Sequence, residues 1–163
     1  MRRQDICFVV LFGMLQVLAL ARADGEDYTY DDEPLRVRIG KTELLVWNMP
    51  LDWQSAYEFC ENDNSNLVVL NNREKIVKLQ LFLIKNRENR QLFAYWIGGN
   101  DLEELNKWKW IPINKPFTYT HWLDGEPKRS SSKRCVGIDF PTLGRWHNSP
   151  CSHLRNFICE RNI

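Results

Sequence analysis

The chain has 163 residues, of which 22 are Lys or Arg and 21 are Asp or Glu, so its formal net charge is +1. This balance excludes the strongly basic class of nucleic-acid-binding proteins, which carry a marked excess of Lys and Arg. The length suffices for one domain with a hydrophobic core.

Residues 1–23 have the pattern of a secretory signal peptide. Arg2 and Arg3 form a basic start, residues 6–21 form an apolar run, and residues 21–23 read Ala-Arg-Ala, a small-x-small cleavage pattern. The apolar run is short for a bilayer span and has no stop-transfer flank, so an N-terminal anchor is the weaker alternative. No later stretch is long enough to span a bilayer. We therefore predict a secreted, extracellular protein.

Four cysteines follow the signal peptide, which itself contains Cys7. They are Cys60, Cys135, Cys151 and Cys159. An even number in an oxidising compartment predicts two disulfides, and the sequence alone allows three pairings. No Asn-x-Ser/Thr sequence occurs, so N-glycosylation is not expected.

Residues 24–34 form an acidic segment without aliphatic side chains, which predicts a flexible, solvated arm. Tyr28 and Tyr30 lie among its carboxylates and are candidates for sulfation, with a plain acidic linker as the alternative. The alternation at residues 35–39 predicts a strand, and residues 42–47 a second one.

Two helices are expected next. Asp52 is in position to cap the first, whose apolar positions at helical spacing are Trp53, Ala56, Tyr57 and Cys60. Residues 67–70 are predicted to form a buried strand. Asn71 with Glu74 is predicted to cap the second helix, whose C-terminal residues 85–90 are polar and expected to fray. Its apolar positions are Ile76, Val77, Leu79, Leu83 and Ile84.

The remaining chain predicts short strands and much irregular structure. Residues 95–99 read Tyr-Trp-Ile-Gly-Gly, which indicates a strand with a close backbone approach and a turn. Strands are expected at residues 135–140, 145–148 and 156–160, with an irregular loop region over residues 100–134. The tryptophans are expected in the core, except Trp146. The predicted class is α+β, with two helices flanking small antiparallel sheets.

Several motifs together resemble the C-type lectin-like domain family, and in particular its short secreted insect form. In chain order they are Cys60, Trp96-Ile97-Gly98-Gly99, Trp108-Lys109-Trp110, Gly125-Glu126-Pro127, Cys135-Val136, Trp146 with Cys151, and Phe157-Ile158-Cys159-Glu160. The resemblance implies the C-type lectin-like fold over residues 35–163. It also implies the disulfides Cys60–Cys159 and Cys135–Cys151, and a recognition module that binds a glycan.

In that family a sugar is bound through calcium held by acidic and amide side chains, and most of these are replaced here. Glu126 and Pro127 are kept, but Lys128 and Lys133 stand at two ligand positions, and His147 with Asn148 follow Trp146. Calcium requires oxygen ligands, whereas lysine offers only donors and a positive charge. We therefore predict that the calcium-dependent sugar site is lost and that no cofactor is bound. Recruitment of Asp124 or Asp139 to the metal is the alternative.

A run of four cations and three serines occupies residues 128–134 and is called the basic loop below. Cations beside hydroxyls suit sulfate, phosphate or carboxylate groups, so the second hypothesis is calcium-independent binding of a sulfated glycan or an acidic protein. The alternatives are a solvated loop without a ligand and a loop covered by the acidic arm. The candidate ligand-binding residues are Glu126, Lys128, Arg129, Lys133, Arg134, Trp146, His147 and Asn148.

An enzyme is not expected. The sequence has no Gly-x-Ser-x-Gly and no His-Glu-x-x-His motif, and the histidines 121, 147 and 153 have no acid–base partner at recognisable spacing. A structural or inhibitory role of the fold remains open. No coiled-coil heptads occur, so a monomer or small oligomer is expected, with a glycan or an extracellular protein as its partner.

Overall fold

The computed structural model describes residues 33–86, 94–139, 142 and 144–163. The predicted signal peptide, almost all of the acidic arm, residues 87–90 of the polar end of the second helix, and Phe140 lie outside the described residues. Among the helices that the structure describes, none is long and apolar enough to cross a membrane.

Helix α1 spans Trp53–Asn62 and is capped as predicted. Asp52 Oδ1 accepts a hydrogen bond from the backbone N–H of Ser55 at 3.0 Å, and its Oδ2 accepts from the Ser55 hydroxyl at 2.7 Å. Both hydrogen bonds lower the pKa of Asp52, and the bond from the backbone N–H has the larger effect. Trp53, Ala56 and Cys60 are buried, which confirms the predicted apolar face.

Helix α2 spans Arg73–Lys85, and its N-terminus differs from the prediction by one residue. Asn72, rather than Asn71, accepts the backbone N–H of Lys75 at 2.9 Å. Glu74 forms an ion pair with Lys78 at 2.7 Å, so it does not complete a capping box.

The predicted apolar face of α2 is only partly correct. Ile76, Leu79 and Leu83 are buried, whereas Val77 is 39% and Ile84 is 40% exposed. The helix contacts the sheet along one narrow stripe, and positions 77 and 84 lie outside this stripe.

Within the described residues, nine strands form one mixed sheet. They are β1 (Leu35–Ile39), β2 (Thr42–Leu51), β3 (Asn66–Leu67), β4 (Ala94–Asn100), β5 (Lys109–Trp110), β6 (Lys115–Pro116), β7 (Cys135–Asp139), β8 (Trp146–Ser149) and β9 (Arg155–Asn162). The main order is β1-β2-β9-β4-β5-β6, with β3 on β9 and β7 between β4 and β8.

The predicted α+β class with two helices is confirmed, but the described strands form one mixed sheet rather than several small antiparallel sheets. Strand β9 pairs antiparallel with β2 and parallel with β4, and thereby joins what would otherwise be two sheets. Of the strand predicted at residues 67–70 only Leu67 lies in β3, although all four side chains are buried.

The two glycines of β4 explain why the long loops can pack on it. A Cβ atom at Gly98 would lie 2.9 Å from the carbonyl oxygen of Ile111, and one at Gly99 would lie 2.7 Å from the ring of Phe117. The predicted close approach is therefore confirmed. Both glycines lie within β4, so the described residues 94–100 do not form the turn that was predicted there.

Both disulfides that the resemblance implies are present. Cys60–Cys159 joins α1 to β9, and Cys135–Cys151 joins the start of β7 to the turn after β8. Between β4 and β7, residues 101–134 contain only β5, β6 and one bridge from Trp122 to Trp146, so the predicted irregular region is confirmed. This region carries most of the candidate site.

Candidate functional site

The turn that carries Glu126 is fixed against strand β8. Leu123 N–H donates to the Trp146 carbonyl at 2.8 Å, and Trp146 N–H donates to the His121 carbonyl at 2.9 Å. The turn closes by a bond from Glu126 N–H to the Leu123 carbonyl at 2.9 Å. The peptide bond between Glu126 and Pro127 is cis. The turn thus presents Glu126 toward Asn148.

Asn148 closes the basic loop at its base. Its Nδ2 donates to the carbonyl oxygens of Lys128 and Lys133, both at 2.7 Å, and its Oδ1 accepts from Lys128 N–H at 2.7 Å. One side-chain amide therefore joins two backbone positions that are five residues apart in sequence. The two lysines are held side by side as a result.

The donor set does not fit a calcium ion. The Asn148 carbonyl oxygen already accepts a backbone N–H, and the Lys128 ammonium group lies 3.8 Å from Glu126 Oε1, on the carboxylate that a cation would need. In the described part of the chain no group of three His, Cys, Asp or Glu side chains is arranged to hold a metal. Glu126 alone offers an anionic oxygen to a cation, which is far short of the six to eight oxygen ligands that calcium takes.

Arg134 is committed to a partner inside the protein. Its Nε donates to Oδ1 of the buried Asp101 at 2.6 Å, and its Nη2 donates to the Asp101 carbonyl oxygen. Asp101 Oδ2 also accepts the backbone N–H of Asn106 at 2.7 Å. The sequence predicted Arg134 as a ligand contact. The structure instead places this pair as the support of the loop, because a buried carboxylate must be paired.

The other cations of the basic loop point to solvent. Lys128 and Arg129 are exposed and Lys133 is half-buried. Apart from the 3.8 Å contact of Lys128 with Glu126, the described residues provide no ion pair for these three side chains. The serines between them bond to each other, Ser130 Oγ to Ser132 Oγ at 3.0 Å, and shape the loop. The loop therefore concentrates uncompensated positive charge.

Trp146 lies in the core, contrary to the expectation that it would be the exception among the tryptophans. It is fully buried, with Trp110 and Trp122 edge-on to its ring at centroid distances of 5.3 and 5.6 Å. A side chain without exposed surface cannot contact a ligand. Its contribution to the site is to support the turn before Glu126.

His147 has an acid–base partner that the sequence spacing did not show. Its Nδ1 lies 3.4 Å from Asp139 Oδ2, and Arg155 Nη1 lies 2.8 Å from its Nε2. Because a guanidinium group can only donate, Nε2 accepts and the ring proton is on Nδ1, toward Asp139. Arg155 also bonds to Ser149 and covers the ring of Trp96 at 4.8 Å. Both ring nitrogens of His147 are therefore occupied, and neither is available to a ligand or a reacting proton.

We expect stability to fall between pH 7.5 and 5.5. Burial lowers the pKa of His147; the negative charge of Asp139 opposes this shift, and the positive charge of Arg155 adds to it. Burial also lowers the pKa of His121, and the positive charges of Arg145 and Arg73 lower it further. The unfolded chain therefore binds protons first as pH falls through about 6.5, so folding becomes less favourable below that pH. The effect of His147 should exceed that of His121, because solvent weakens the shift of the more exposed histidine.

Urea unfolding at a series of pH values measures this slope. His147→Gln and His121→Gln should each reduce it, and His153→Gln, at an exposed position, is the matched control. If neither His147→Gln nor His121→Gln changes the slope, carboxylates and not these histidines cause the loss of stability.

A cleft that sequence analysis missed lies beside this site. It has a volume of about 370 Å³ and is lined by Asn106, Lys107, Trp108, Lys109, Pro116, Phe117, Thr120 and Trp122. The Trp-Lys-Trp motif and the aromatic residues within 117–122 are the sequence features that could have indicated the cleft. Their convergence depends on the folding of the loop region, which spacing does not show.

Comparisons with known proteins agree with the fold. A family model described as Lectin C-type domain matches residues 49–161. The chain is 30% identical over 117 residues to Salivary C-type lectin 2 of Aedes albopictus, covering 67% of this chain and 76% of that protein. It is 25% identical over 123 residues to C-type lectin mosGCTL-7 of Aedes aegypti, covering 72% and 82%.

Among solved structures, the carbohydrate-recognition domain of the mouse scavenger receptor C-type lectin superimposes with a TM-score of 0.67 at 26% identity. The alignment covers 78% of this chain and 95% of that chain. The span matched by the family model contains both disulfides and every candidate site residue.

Proposed function

Because the chain belongs to the C-type lectin domain family, we propose that it is a secreted recognition module that binds a sulfated glycan without calcium through the basic loop. Members of this family are generally binding modules rather than enzymes. Secretion is supported by the signal-like residues 1–23 and by two disulfides, which form in oxidising compartments. The proposed recognition domain is residues 35–163, after the arm at 24–34.

The contact that carries this proposal is the clamp made by Asn148. Its amide nitrogen donates to the backbone carbonyls of Lys128 and of Lys133 at 2.7 Å each, so the backbones of two lysines are held at one base. Like charges on one short loop repel each other, and a bound anion relieves the repulsion. A sulfate group accepts several hydrogen bonds and carries the required charge, and Arg129 adds a third donor group.

The lost metal chemistry supports the same ligand class. In a calcium-dependent site the cation would supply the positive charge that binds the sugar hydroxyls. Here Lys128 N–H donates to Asn148 Oδ1 and the Lys128 ammonium group lies 3.8 Å from Glu126 Oε1, so Lys128 occupies oxygens that would bind the cation. Positive charge at this position comes from side chains, which select an anionic group rather than a neutral diol.

A catalytic role is not supported by the same contacts. His147 pairs with Asp139 through Nδ1, and its other ring nitrogen, Nε2, is bonded to Arg155 at 2.8 Å. The imidazole therefore cannot accept a proton from a nucleophile. All four cysteines after the signal peptide form disulfides, which leaves no thiol nucleophile among the described residues.

We expect Lys128→Glu combined with Lys133→Glu to abolish retention of the full chain on immobilised heparin, a sulfated polysaccharide probe. The change replaces two attractive charges by two repulsive ones, and each 1.4 kcal/mol lost is about tenfold in affinity. The control is Lys41→Glu combined with Lys115→Glu, which alters the net charge equally at exposed positions outside the loop. Retention should weaken with salt, since exposed charges are screened.

Three outcomes would contradict the proposal. Equal losses in the two double variants would show that net charge, and not the loop, causes retention. A requirement for added calcium, tested against a chelator, would restore the metal-dependent mechanism. Stronger retention on immobilised polyglutamate than on heparin would identify an acidic protein surface as the ligand instead.

A further inference from the structure

The aromatic cleft beside the site has an apolar surface that is already formed. Its rings are Trp108, Phe117 and Trp122, all partly buried, with centroids 5.1 Å apart for the two tryptophans and 6.4 Å for Trp108 and Phe117. Phe117 also stacks on the buried Trp110 at 4.2 Å. Because these rings pack on the core, a ligand would not have to order them.

The exposed edge of the cleft is polar but carries no net charge. Lys107 forms an ion pair with Glu104 at 2.8 Å, and Lys109 forms one with Glu103. Thr120 adds an exposed hydroxyl group. This edge differs from the basic loop, where Arg129 and Lys133 have no acidic partner among the described residues, so it does not favour an anion. It offers donors and acceptors to hydroxyl groups.

The edge is also held in place. Asn106 has a left-handed backbone (φ of 66°), and its N–H donates to the buried carboxylate of Asp101 at 2.7 Å. The same carboxylate binds Arg134 at the end of the basic loop. The cleft and the basic loop therefore share one support, although their lining residues differ.

We propose that this cleft is a second saccharide-binding site, which takes one pyranose ring of an uncharged sugar. A pyranose has a face of C–H groups, which packs on aromatic rings, and a rim of hydroxyl groups, which matches the neutral polar edge. The volume of about 370 Å³ lies in the range of sites for small ligands. The site requires neither calcium nor the basic loop, so it goes beyond the sulfated-glycan function and does not depend on it.

The test follows the indole N–H signals of the protein by NMR during titration with glucose, galactose, mannose or N-acetylglucosamine in the presence of a chelator. We expect at least one sugar to shift the signals of Trp108 and Trp122 in a saturable manner. The dissociation constant should be on the order of 1 mM, as for a ligand of this size. The buried Trp53 is the internal reference.

Matched variants locate the site. Thr120→Tyr fills the cleft and should abolish the shifts, whereas Thr118→Tyr adds the same ring at an exposed position that does not line the cleft and should preserve them. The double variant Lys128→Glu/Lys133→Glu should bind the neutral sugar normally, which separates this site from the basic loop. The proposal is overturned if none of the four sugars shifts Trp108 and Trp122, or if the two threonine variants behave alike.

Discussion

Removal of the Cys60–Cys159 disulfide by alanine substitution of both residues is expected to lower the free energy of unfolding by about 4.7 kcal/mol. The bond closes a loop with a sequence separation of 99 residues, and the entropy that it removes from the unfolded chain grows with loop length. Domains of this size are stable by roughly 5–15 kcal/mol, so the variant should be close to its unfolding threshold at 37 °C.

The second disulfide is the matched control. Cys135–Cys151 closes a separation of only 16 residues, and its removal should cost about 3 kcal/mol. Urea unfolding of the two double-alanine variants measures both values. An equal cost, or a larger cost for Cys135–Cys151, would mean that local strain or packing, and not loop length, determines how much each bond stabilises the domain.

Trp146→Ala is expected to cost about 3–5 kcal/mol of stability, although the sequence predicted Trp146 as a candidate ligand-binding residue. The ring is fully buried, and Trp110, Phe117 and Trp122 meet it at angles between 69° and 89°. Deletion of an indole from such a cluster removes its apolar burial and leaves a cavity that the rigid neighbours cannot fill.

Trp146→Phe is the control for this prediction, because it keeps an aromatic ring and should cost clearly less than the alanine variant. The midpoint of urea unfolding and retention on heparin are to be measured together. If Trp146 were a ligand contact on the surface, alanine would change stability by less than about 0.5 kcal/mol and would reduce retention instead.

Most of the secondary structure could be predicted from the sequence because its signals are local. The Asp52 cap and the spacing of Trp53, Ala56 and Cys60 identify α1 from ten residues of chain. The misplaced cap of α2 has a local cause as well. Asn71 and Asn72 are both good cap residues, and only the backbone conformation distinguishes the one that reaches Lys75.

The mixed sheet could not be predicted in the same way. Strand β9 lies between β2 and β4, and its partners are about 110 and 60 positions away in sequence. A strand pattern indicates that a segment is extended, but it does not identify the neighbour or the direction of pairing. Family resemblance, and not periodicity, supplied the correct pairing of the cysteines.

The sequence by itself indicated the family, since the motifs depend only on residue identity and order. The resemblance to that family, in turn, implied the pairing of the four cysteines and predicted that Lys128 and Lys133 stand where calcium ligands would be. Only the tertiary structure decided which site residues face a ligand. Trp146 is buried, Arg134 is bound to Asp101, His147 is bound to Asp139 and Arg155, and Asn148 clamps the loop. A buried polar group must find a partner wherever the fold provides one, and that partner is usually distant in sequence. Exposure and pairing, which separate a ligand contact from a structural one, are therefore properties of the folded chain.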